Sequence, residues 1–84
     1  MKVLLVGQGY VGLPVSMAAV NAGFHVTGFD TDLHKTDTLA AGGSHVEDIP
    51  PATVRAALDS GRYRAVSNPA EVDGFDVAVI TVPT

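Results

Sequence analysis

Gly7-Gln8-Gly9-Tyr10-Val11-Gly12, with Asp30 placed 18 residues beyond Gly12, is the segment of this sequence most suited to holding a ligand. The chemistry is non-covalent. Three glycines in this spacing let the backbone itself meet a charged ligand: Gly7 permits a tight turn, Gly9 allows close approach of a pyrophosphate, and Gly12 lets a helix pack closely on the preceding strand. The unpaired N–H groups at the helix start then face the phosphates. An acidic residue at the end of the following strand accepts hydrogen bonds from adenosine ribose hydroxyls, and Asp30 stands at that place. The pattern therefore reads as a dinucleotide site. A carboxylate there repels a 2′-phosphate, so NAD is expected in preference to NADP. Flavin adenine dinucleotide uses a similar turn, and spacing alone does not separate it. The plain alternatives are a structural glycine turn and a solvated aspartate at a strand end. Lys35 is either the cation at the adenosine edge or an ordinary exposed lysine.

These residues need elements to hold them. Lys2-Val3-Leu4-Leu5-Val6 is a short, continuously apolar run, as expected of a parallel strand buried on both faces. A helix is predicted from about Tyr10 to Ala22, with Pro14 tolerated in its first turn and Gly23 ending it. Phe24 to Phe29 forms a second strand, and Asp32 caps a helix running to about Ala40 before Gly42 and Gly43. Ser44 to Asp48 is a loop. Pro50-Pro51 opens a third helix with Val54, Ala57 and Leu58 on its apolar face, and Tyr63 to Val66 is a short third strand. Asn68 and Pro69 start one brief turn that stops at Gly74, and Asp76 to Val82 is a further buried strand. Strands alternating with helices imply an α/β fold: a Rossmann-like, doubly wound parallel sheet of order 3-2-1-4. Ligands bind such sheets where the order reverses, between the first and fourth strands. Gly7 and Val82-Pro83-Thr84 converge there.

Composition narrows the function classes. The 84 residues make one domain at most, with a net charge of −4 and five basic residues that do not gather into a nucleic-acid surface. No run approaches the length of a membrane span and the amino terminus is not laid out as a secretory peptide, so a cytoplasmic location is expected. The chain has no cysteine, hence neither disulfide nor thiolate nucleophile. His25, His34 and His45 lack metal-ligand spacing, and no serine sits in a hydrolase elbow. No catalytic residue and no metal ligand is assigned.

The segments Gly7-Gln8-Gly9-Tyr10-Val11-Gly12-Leu13-Pro14, Gly28-Phe29-Asp30-Thr31-Asp32, Val46-Glu47-Asp48-Ile49 and Val82-Pro83-Thr84 together resemble the amino-terminal domain of the UDP-glucose and GDP-mannose dehydrogenases. The Glu-Asp-Ile segment is more similar to family members acting on UDP-N-acetylhexosamines. The resemblance implies two-step, NAD-dependent oxidation of a nucleotide-sugar C6 alcohol to a carboxylate, for polysaccharide synthesis. It also implies that Tyr10 and Val11 present backbone to the pyrophosphate, that Asp30 and Lys35 flank the ribose, and that Val82 and Thr84 approach the cofactor from the fourth strand. Gln8 sits where the family varies.

The family's catalytic cysteine, its sugar-binding domain and its subunit-pairing helix all belong to sequence beyond position 84. Residues 1–84 are accordingly expected to be a partial NAD-binding domain, inert alone and with its last strand partly uncovered, from a parent enzyme that is a homo-oligomer acting on a UDP-sugar. The alternative is a stand-alone NAD-binding or protein-interaction module without catalysis.

Overall fold

Parallel strands cannot be joined by a tight hairpin, so between each strand and the next lies a segment that carries the chain back across the sheet. The computed structural model describes residues 1–72 and 74–81. In chain order the elements are β1 (Lys2–Val6), α1 (Gly12–Asn21), β2 (His25–Phe29), α2 (Leu33–Ala40), α3 (Pro51–Asp59), β3 (Tyr63–Val66), a 3₁₀ turn (Pro69–Glu71) and β4 (Val77–Ile80). All pairings are parallel and the sheet order is β3-β2-β1-β4, as the alternation of elements predicts.

The strand period of two assigns the faces. Val3 pairs with Val26, and Val26 with Tyr63. This row, together with Leu5, packs against Leu13, Met17 and Val20 of α1, Leu39 of α2, and Val54 and Ala57 of α3 in one continuous core. Leu5, Leu13, Leu39 and Val54 are fully buried, each contributing about 1.5–3 kcal/mol of transfer free energy. Thr27 and Arg64 share the intervening row, on the opposite face, where Arg64 donates to the Glu71 carbonyl at 2.6 Å.

The helix boundaries have local causes. Val11 caps α1 without any side-chain acceptor, so the helix begins two residues later than Tyr10, and Tyr10 and Val11 belong to the turn. At the other end the Gly23 N–H bonds to the Val20 carbonyl and the Phe24 N–H to the Ala19 carbonyl, a paired ending that requires the positive φ of Gly23. Asp32 caps α2 by accepting from the N–H groups of His34 and Lys35. Asp32→Ala is expected to cost about 1 kcal/mol, read as a lower urea midpoint with an unchanged slope; an unchanged midpoint would remove the cap from the account of α2.

Two expectations are corrected. The turn after Asn68 ends at Glu71, short of Gly74, because the Val72 N–H closes onto the Pro69 carbonyl and the chain then extends. β4 is parallel but not buried: Val77 is 43% and Ile80 69% exposed. It is an outer strand, paired with β1 on one side among the described residues.

Candidate functional site

The carboxyl ends of β1, β2 and β4 meet above the sheet, and the turn from β1 into α1 lies between them. The Gly7 N–H donates to the Phe29 carbonyl at 2.7 Å, and the Thr81 N–H donates to the Val6 carbonyl at 2.7 Å. The Thr81 hydroxyl lies 3.1 Å from both the Val6 and the Gly7 carbonyl oxygens, tying the end of β4 to the turn. Gly7 has φ +97°, and a Cβ there would stand 1.7 Å from the Thr81 carbonyl oxygen.

The glycines separate by role. A Cβ on Gly12 would lie 1.7 Å from the Gly7 carbonyl oxygen, so Gly12 is what allows α1 to sit against the turn. A Cβ on Gly9 would meet nothing closer than Lys35 Nζ at 3.9 Å. It would project into a cavity of about 580 Å³ lined by Gly7, Gly9, Tyr10, Val11, Gly12, Asp30 and Lys35, with Ile80 and Thr81 closing the β4 side. Seven of the nine residues expected at the site thus line one cavity; the other two, Val82 and Thr84, lie outside the described residues. A cradle that a single methyl would obstruct, at a helix start without a side-chain cap, suits an anionic ligand.

Asp30 is held in place by backbone donors. Its Oδ2 accepts from the Gln8 N–H and its Oδ1 from the Asp32 N–H, both at 2.9 Å. Each carboxylate oxygen keeps a further lone pair for another donor. The carboxylate is therefore oriented before any ligand arrives.

Sequence reasoning missed the residues beneath the turn. Gln8, passed over as a variable position, is fully buried. Its Nε2 donates to the Gly7 carbonyl at 2.9 Å and to the Ser16 hydroxyl at 3.0 Å, while its Oε1 accepts from the Tyr63 hydroxyl at 2.7 Å. Burial pushes the Tyr63 phenol well above its usual range, which keeps it a donor. His45, which lacks metal-ligand spacing, has a structural place here, with Nε2 2.5 Å from the Gln8 carbonyl oxygen. Thr81 and Ile80 were also missed. They precede Val82-Pro83-Thr84, and position at the end of an apolar strand was the only signal for them.

Among the described residues no group of three or more His, Asp or Glu could hold a metal ion, and no helix is long and apolar enough to cross a membrane.

Comparison with known proteins agrees with this geometry. The model of the UDP-glucose/GDP-mannose dehydrogenase family, NAD binding domain, matches residues 1–84. A UDP-N-acetyl-D-mannosamine dehydrogenase of Salmonella typhi is 35% identical over 80 residues, covering 92% of this chain and 19% of the relative. An NDP-N-acetyl-D-galactosaminuronic acid dehydrogenase of Ralstonia nicotianae is 38% identical over 78 residues, covering 92% of this chain and 18% of the relative. A GDP-mannose dehydrogenase from Pseudomonas aeruginosa, solved as a ternary complex, superposes with a TM-score of 0.88 at 30% identity, over 100% of this chain and 20% of that one. The chain thus spans about one-fifth of the length of these relatives.

Proposed function

The chain belongs to the UDP-glucose/GDP-mannose dehydrogenase family, whose NAD-binding domain it matches throughout, and from that premise we propose that residues 1–84 are the first part of a nucleotide-sugar dehydrogenase, holding the adenosine and pyrophosphate portion of NAD. The observation that carries this reading is the convergence of Gly9, the α1 start, Asp30 and Lys35 on one cavity. The parent enzyme oxidises the C6 alcohol of a UDP-linked sugar to a carboxylate, a four-electron change that consumes two NAD and takes its second oxygen from water. An N-acetylhexosamine is the favoured sugar, on the strength of the relatives' own names. The product class is a uronic acid for polysaccharide synthesis, and the enzyme is a cytoplasmic homo-oligomer.

Bound NAD supplies a hydride acceptor. The residues of this chain bind and orient it. The N–H groups of Tyr10 and Val11 at the uncapped start of α1 meet the pyrophosphate, where the helix dipole favours negative charge. Asp30 accepts from the ribose hydroxyls and Lys35 places a cation beside them. The catalytic nucleophile and the sugar pocket are assigned to sequence outside residues 1–84, so this chain alone is expected to bind cofactor without turnover.

Calorimetric titration of the purified chain with NAD and with NADP tests the reading. NAD is expected to bind at least tenfold more tightly, because the Asp30 carboxylate repels a 2′-phosphate. Equal or tighter binding of NADP would remove the role given to Asp30, and binding of neither would remove the site.

A further inference from the structure

We infer that the buried set Gln8, Ser16 and Tyr63 is a positioning device for the pyrophosphate turn, through which Tyr63, a β3 residue outside the cavity, sets dinucleotide affinity. The inference rests on the reading of the cavity as a dinucleotide site.

Gln8 is a polar side chain with no exposure, and a leucine would fill similar space without needing partners. What the carboxamide adds is a grip on the turn's own backbone. Its Nε2 holds the Gly7 carbonyl at 2.9 Å, while the N–H of the same Gly7–Gln8 peptide is held by Asp30 Oδ2 at 2.9 Å. A peptide group is planar, so anchoring both ends fixes its rotation. The carbonyl of the next peptide, Gln8–Gly9, is held by His45 Nε2. In a trans peptide the N–H points opposite the carbonyl, so the direction of the Gly9 N–H is set as well. Two successive peptide planes beside the cavity are thereby oriented in advance of ligand.

The carboxamide is itself oriented from below. Tyr63 Oη donates to Oε1 at 2.7 Å, and Ser16 Oγ lies 3.2 Å from Oε1 and 3.0 Å from Nε2. The Tyr63 donor decides which end of the amide is oxygen, and so keeps Nε2 on Gly7. β2 makes room for this arrangement: a Cβ on Gly28 would lie 2.3 Å from Gln8 Oε1 and 3.0 Å from Tyr63 Oη. Residues from the turn, α1, β2 and β3 therefore fit one another around a group that touches no solvent. Because donors oriented beforehand need no reordering on binding, they raise affinity for a charged ligand without contacting it.

Tyr63→Phe removes the hydroxyl alone and leaves Ser16 as a donor to Gln8 Oε1, and Ser16→Ala does the converse. Each variant would be titrated calorimetrically with NAD and ADP-ribose, and by amide NMR with adenosine, alongside thermal unfolding. The expected result is about 5- to 10-fold weaker binding of NAD and ADP-ribose, the equivalent of one hydrogen bond, with adenosine affinity within about 2-fold of the parent chain and the Gly7 and Gly9 amide signals displaced. Unchanged NAD affinity in both variants, or an equal loss for all three ligands, would overturn the positioning role while leaving the dinucleotide site standing. Failure of the parent chain to bind NAD would overturn both.

Discussion

Gly12→Ala is expected to destabilise the fold severely, moving its urea midpoint far below that of the parent chain. The new methyl would stand 1.7 Å from the Gly7 carbonyl oxygen and 2.5 Å from Thr81 Oγ1. Neither can withdraw. The Gly7 carbonyl is held by Gln8 Nε2 and the Thr81 hydroxyl, and the Thr81 backbone is paired with Val6. The alternative is for α1 to lift from the sheet, which would uncover Leu13, Met17 and Val20. We expect a loss of about 3 kcal/mol or more, at the upper end of overpacking costs. A domain of this size has only about 4–13 kcal/mol in total, taking about 0.05–0.15 kcal/mol per residue. Urea unfolding followed by circular dichroism measures it, and a midpoint within error of the parent would show the close approach to be dispensable.

Gly9→Ala is the control. Its methyl meets no protein atom nearer than 3.9 Å, so stability should change by less than about 1 kcal/mol. NAD affinity should nevertheless fall about tenfold or more, since the methyl occupies the space that a pyrophosphate needs. The two glycines, three positions apart, thus separate folding from binding.

The second large effect falls on Asp30. Asp30→Ala should weaken NAD binding by about 1–3 kcal/mol, or roughly 5- to 150-fold, because hydrogen bonds to a charged acceptor are lost. Part of that loss is indirect. The Gln8 and Asp32 N–H groups also lose their acceptor, so the turn is released on one side. Asp30→Asn separates the two contributions. Its amide oxygen can still accept from the Gln8 N–H, but the charge is gone, so it should recover part of the NAD affinity while narrowing the preference over NADP. If Asp30→Ala binds NAD as the parent does, the carboxylate is only a structural link between β2 and the turn.

Several features were legible because they are local. The apolar run Lys2–Val6 leading into a glycine turn, Asp32 as a cap, and Pro51 opening a helix each depend on neighbours a few residues away. The sheet order followed from alternation and crossover handedness, which need no side-chain detail. For β4 two sequence signals disagreed: the apolar run Val77, Val79 and Ile80 read as a buried strand, while the order 3-2-1-4 put the fourth strand at the edge and partly uncovered, and it is the order that the exposure of Val77 and Ile80 bears out.

Strand period, helix caps and glycine spacing act over short stretches of chain, which is why the kind of fold, the glycine turn and the aspartate beside it could be read from the residues alone. What lies under that turn emerged with the packing. Gln8, Ser16, Gly28, His45 and Tyr63 belong to five separate segments, and nothing in their spacing relates them. They meet because parallel crossovers stack α1 on a sheet in which β2 lies between β1 and β3. Once that packing shuts out water, a buried carboxamide must find its partners among whatever residues the fold has brought there.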